Sequence, residues 1–79
     1  MGSKLQPGSF DCYANAEPDE PMFILLARDV RAPILVDAWA DQRQRLVESG
    51  VKPPSDMEKV REARECAENM RRWREKNRP

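Results

Sequence analysis

The run Met22-Phe23-Ile24-Leu25-Leu26-Ala27-Arg28, lying between Pro21 and Asp29, decides how the rest of the chain is read. It is dense in apolar residues, and its length between a proline and an acid suits a strand better than a helix. Met22, Ile24 and Leu26 would fall on one face and Phe23, Leu25 and Ala27 on the other. The predicted strand is therefore apolar on both sides and expected to be covered on both. A lone strand leaves its backbone groups unpaired. Either the stretch around Tyr13 folds back beside it, or the same strand of a second copy pairs with it across a two-fold axis.

Upstream, residues 1–9 (MGSKLQPGS) carry Gly, Ser and Pro with little apolar content and are expected to be disordered. Residues 10–21 (FDCYANAEPDEP) read as a tethered arm with Phe10 and Tyr13 as its anchors. Pro18 and Pro21 bias Glu17 and Glu20 toward extended geometry. Downstream, Asp29 is a candidate cap and Pro33 suits a first helical turn, which predicts a helix over about 31–49. Leu35, Trp39, Leu46 and Val47 would line its apolar side, with Val36 and Ala40 widening it and Trp39 in the core. Asp41 precedes Arg45 by four residues, a favourable surface pair. Gly50 supplies a left-handed stop, and Lys52-Pro53-Pro54 makes a stiff connector. Ser55-Asp56-Met57-Glu58 has the form of a capping box. It opens a second predicted helix over 56–76, with Met57, Val60, Ala63, Ala67, Met70 and Trp73 at spacings of three and four. So short a connector makes the two helices antiparallel neighbours. The expected fold class is α+β: an extended arm and one apolar strand, then a two-helix hairpin, completed by dimerisation. Residues 10–79 would form this single small domain.

The chain has 79 residues, 14 Lys+Arg against 14 Asp+Glu, no His and two Cys. Without His there is no Ser-His-Asp or Cys-His pair, and two cysteines do not close a four-thiolate zinc site. Zero net charge removes the field that draws a chain onto polyphosphate, and it is not the strong acidity of a DNA mimic. The expectation is a chain that is not an enzyme and needs no cofactor or metal. A core this small supplies only about 3–5 kcal/mol net, so a partner chain is the expected extra source of stability. Cys12 and Cys66 are read as unpaired thiols, Cys66 as a small hydrophobe beside Ala63, Ala67 and Met70. Met22–Ala27 is too short to cross a bilayer, and no basic-then-apolar leader is visible, which gives a cytoplasmic expectation without membrane contact.

Charge is unevenly placed. Residues 11–29 hold five acids and one base, and residues 71–79 hold five bases and one acid. One reading brings the acidic arm and basic tail together, within one chain or between two. The other makes Arg71, Arg72, Arg74, Lys76 and Arg78 a contact surface with Trp73 as its anchor. The residues expected to meet a partner are Arg71, Arg72, Trp73, Arg74 and Lys76 of the tail, with Asp19 and Glu20 of the arm. The carboxylate pairs Asp19-Glu20 and Asp37-Asp41 read as surface acids, since neither has a third ligand or a nearby Gly-rich turn.

The pattern D-E-P-x-F-x-L-x-A-x-D over Asp19–Asp29, with Ala32-Pro33, Trp39-Ala40 and a second charged helix ending near a Trp, resembles small phage and prophage proteins of unknown function. The resemblance spans about residues 13–75. It implies a mobile-element origin and a small α+β domain, and no activity or site residues. The expected function is that of a small homodimeric interaction protein that binds a host protein and modulates or inhibits it, for instance as a counter-defence factor. The alternatives are a ribbon-helix-helix DNA-binding repressor and a sponge for a small anionic nucleotide signal. Nucleic acid is the less favoured partner, because Met22, Ile24 and Leu26 would give the ribbon a greasy outer face with only Arg28 to reach DNA.

Overall fold

Gly50 and the proline pair Pro53-Pro54 break a long stretch of helix-forming sequence into two, and the chain turns back on itself there. The structure, a computed structural model, describes residues 1–77. It contains α1 (Cys12–Asn15), α2 (Ala32–Glu48) and α3 (Met57–Asn77), with a 3-10 turn over Pro54–Asp56 leading into α3. The two long helices start and stop within one residue of the boundaries read from the sequence.

The breaks have local causes. At the end of α2, Gly50 sits at φ +83°. The Val51 N–H donates to the Leu46 carbonyl at 2.9 Å and the Gly50 N–H to the Val47 carbonyl at 3.0 Å, the paired bonds of a Schellman ending. At its start, the Asp29 carboxylate accepts from the Arg31 N–H at 2.9 Å and the Asp29 carbonyl from the Ala32 N–H at 3.0 Å. Asp29 thus shapes the turn before the helix, and Arg31 occupies the cap position without a side-chain bond. The capping box over Ser55–Glu58 does not form. Pro53 and Pro54 fix their backbone angles and carry the chain through the 3-10 turn, the Asp56 N–H bonding the Pro53 carbonyl, so α3 opens with no side-chain cap.

α2 and α3 pack antiparallel along complementary stripes at spacings of three and four. α2 contributes Pro33, Val36, Ala40 and Val47, and α3 contributes Val60, Ala63, Ala67 and Met70. Ala40, Val60 and Ala63 form the innermost cluster, flanked by Met1, Val36 and Met57. The interior is built of small residues: Val60 is the one large side chain among the described residues that is wholly buried. Trp39 is not in the core, as its place on the apolar side of α2 suggested, but 39% exposed.

The fold is all-helical and not α+β. Among the described residues there is no strand. Residues 22–26 are extended in sequence character but unpaired. The reason is the lack of a second ribbon: the stretch around Tyr13 forms the single turn α1 instead, with Asp11 accepting from the Tyr13 N–H at 3.1 Å. α1 packs against neither long helix. A strand with no neighbour does not form a sheet. Residues 1–10 have no helix or strand, yet they contact α3. The Ser9 and Phe10 N–H groups donate to the Glu62 carboxylate at 3.1 and 3.3 Å, and the Met1 ammonium pairs with the same group at 3.3 Å and bonds the Phe10 carbonyl. Among the described residues no helix is long and apolar enough to cross a membrane.

Candidate functional site

The hairpin has two unlike flanks, and the charged side chains between the helices set which is which. On one flank, Arg64 donates to Asp41 at 3.0 Å and to Gln44 at 2.8 Å, and one turn pair further along Arg71 donates to Asp37. These bridges engage Asp37 and Asp41 of α2. Asp41 thus pairs across the helices with Arg64 and not along α2 with Arg45. The hydrogen bond to Asp37 raises the Arg71 guanidinium above its ordinary value against the opposing loss of solvation.

The other flank is apolar. Leu35, Trp39, Gln42 and Leu46 follow one another at spacings of four, three and four, so they share a stripe of α2 turned away from the bridged flank. Leu35 is 50%, Trp39 39% and Leu46 37% exposed. On α3 the adjoining stripe runs through Lys59, Glu62, Cys66 and Trp73. Residues 1–10 lie over its first part, where Lys59 sits 5.6 Å from the centroid of the Phe10 ring. Trp73, beyond the reach of that segment, is 47% exposed. Burial pushes the Cys66 thiol up, against the nearby ammonium and the Gly2 backbone, which suits the inert hydrophobe expected of it.

Trp39 is held in place. The Arg43 guanidinium lies 5.0 Å from its ring centroid, and the same guanidinium donates to Asp56 at 3.1 Å. Asp56 is the buried charged residue of the hairpin. A cation stacked on an indole and anchored by a buried carboxylate restricts both side chains before any partner arrives.

A second apolar surface projects from the hairpin. Between Phe10, tied to Glu62, and Arg28, whose carbonyl accepts from Arg74 at 2.8 Å, the chain makes an excursion that carries α1 and residues 20–26. Phe23 is 86% and Ile24 62% exposed. None of the N–H groups of Met22–Arg28 meets an acceptor within the described residues. An open depression of about 380 Å³ lies inside the excursion, lined by Cys12, Tyr13, Glu20, Pro21, Met22 and Phe23.

The residues singled out from the sequence are dispersed over these surfaces. Asp19 and Glu20 are exposed on the excursion, where Glu20 accepts from the Glu17 N–H at 3.0 Å. The basic tail does not meet these acids. Arg71 is engaged by Asp37 and Glu68, Arg72 by Glu68 and Asn69, and Arg74 by the Arg28 carbonyl. Lys76 is exposed, and Arg78 lies outside the described residues. The sequence reading overlooked the exposed stripe of α2 and the seat on Glu62. One signal bore on the first: Val36-Ala40-Arg43-Val47 repeats the spacing of Leu35-Trp39-Gln42-Leu46 one residue along. Only the first of these two stripes has an alanine to set against Ala63 and Ala67.

Among the described residues, no group of three or more His, Cys, Asp or Glu is placed to hold a metal ion. Comparison with protein-family models, curated proteins and solved structures finds no match for this chain.

Proposed function

We propose that the chain is a small non-enzymatic interaction protein of the kind phages encode, which binds a host macromolecule in the cytoplasm and modulates or inhibits it. The phage origin rests on the motif over Asp19–Asp29. The binding role rests on one observation: residues 22–26 present large apolar side chains and unpaired backbone amides on an excursion tethered at both ends. A segment with unoccupied N–H groups and exposed Phe23 and Ile24 side chains is suited to engage a partner, its backbone giving affinity and the two side chains specificity. The acids Glu17, Asp19 and Glu20 ahead of it favour a partner with a basic rim. Trp73 and Lys76 offer a second contact at the end of α3. With no strand among the described residues, the ribbon-helix-helix alternative loses the order of elements that recommended it.

The test is affinity capture from bacterial lysate with the natural chain and with Phe23→Ser run in parallel. Phe23 is 86% exposed, so the variant folds with its stability within about 0.5 kcal/mol of the natural chain. A protein retained by the natural chain and lost by Phe23→Ser is the expected result. Identical captures by both would remove the excursion from the binding role.

A further inference from the structure

We propose that the flank bearing Leu35, Trp39 and Leu46 seats a second copy of this chain, the two α2 helices pairing antiparallel at the centre of a four-helix assembly. This goes beyond the partner-binding role of the excursion and uses a different surface.

Three observations select a second copy. The first is that the hairpin is filled with small residues and flanked by large ones: Ala40, Ala63 and Ala67 are inside, while Leu35, Trp39, Leu46 and Trp73 are half-exposed. A pair of helices with so slight an interior is marginal alone, and its large side chains gain their burial only against another surface. The second is symmetry. The spacing of Leu35, Trp39, Gln42 and Leu46 reads the same in both directions, four-three-four. The stripe Val36-Ala40-Arg43-Val47, buried or half-buried, has the same spacing, but only that of Leu35 is exposed, so a two-fold axis beside residues 40 and 41 sets Leu35 against Leu46 of the other copy and Trp39 against Gln42, as an isologous interface allows. The third is size. The four half-exposed large side chains leave on the order of 400 Å² of apolar surface uncovered. At the roughly 65% apolar share of a homodimer interface, covering all of it buries about 600 Å² per copy, an upper figure that meets the lower bound of a specific complex, about 1,200 Å² in total. The opposite flank offers no such seat, because Arg64 and Arg71 bridge it.

The register makes the proposal testable by cross-linking. Leu35→Cys and Leu46→Cys are introduced together with Cys12→Ser and Cys66→Ser. The two new thiols are eleven residues apart on one helix, about 16 Å, so they do not bridge within a chain. The expected product of mild oxidation is a covalent dimer of twice 9.2 kDa held by two disulfides. Ile34→Cys with Arg45→Cys has the same separation off the stripe and is expected to give none. Light scattering of the unaltered full chain should give the mass of two copies, falling to one copy in Trp39→Glu. If Trp39→Glu unfolds, the cross-link decides. A single-copy mass for the unaltered chain at every concentration, or equal cross-linking by both thiol pairs, overturns the proposal. Phe23→Ser should leave the mass of two copies unchanged, so failure of this interface and failure of the excursion's role are told apart.

Discussion

The interior of the hairpin and residues 22–28 are opposites in how they use apolar residues. The interior has alanines and a single valine and is sealed; the segment has Met, Phe, Ile and two Leu and is largely open. The difference teaches that burial here follows neighbours and not side-chain size. Two helices with a small-residue stripe each find a partner a short turn away, whereas the segment with the greatest apolar content has no second ribbon among the described residues to cover it. Ala40 fits opposite Ala63 and Val60 because a methyl lets the helix backbones approach closely, with the bridges from Arg64 and Arg71 along one flank.

The comparison breaks most sharply at Ala63. Ala63→Leu places three more carbons where neither helix has room, and is expected to cost about 3 kcal/mol by overpacking. The urea midpoint at fixed protein concentration should fall with little change in slope. A midpoint that held or rose would show that the interior has space to spare, and the close approach of α2 to α3 would be wrong.

A smaller effect is expected where the interior meets the apolar flank. Asp56→Ala leaves the half-buried Arg43 guanidinium without its carboxylate and is expected to cost about 2 kcal/mol, less than a fully buried pair because both side chains keep some solvent. It also loosens Trp39, whose fluorescence, read in a Trp73→Phe background, should shift toward that of an indole in water. Loss of stability without any change at Trp39 would separate the two contacts that Arg43 makes.

These sites also show how much was legible beforehand. The two helices, the Gly50 ending and the apolar positions from Met57 to Met70 followed from spacing and from the special backbone freedom of glycine, which are local properties. Two things were not legible, for a common reason. Whether MFILLAR pairs depends on the presence of a second strand elsewhere, and whether Trp39 or Ala40 faces α3 depends on which stripe the other helix offers. Trp39 was expected in the core from its place on the apolar side of α2, but the small-residue stripe of α3 takes Ala40 instead, and the inter-helix bonds of Arg64 and Arg71, spanning twenty residues of sequence or more, lie on the far flank. The capping box misled for a different reason. Pro53 and Pro54 had already set the geometry that Ser55 would otherwise have supplied.

Residues 1–10 stand between the two extremes, since they are held by a polar clasp and not by apolar packing alone, and acid should open that clasp before it melts the hairpin. Loss of solvent pushes the Glu62 carboxyl up, but the Ser9 and Phe10 N–H groups and the Met1 ammonium outweigh it and leave the group below its ordinary value. A carboxylate held low favours the docked state fully above the ordinary carboxylate range, and that contribution fades as pH falls through the lowered value. Protection of the Ser9 and Phe10 amides, taken relative to their intrinsic exchange rate at each pH, should therefore be high at neutral pH and fall in acid, with the α3 amides at Val60 and Ala63 still protected. Glu62→Gln keeps an acceptor but loses the titrating charge, so protection at Ser9 and Phe10 should be lower at neutral pH and no longer fall in acid. If the natural chain and Glu62→Gln gave the same pH response, the segment would be held by Met1 and Phe10 against the helices, and the carboxylate would be a bystander.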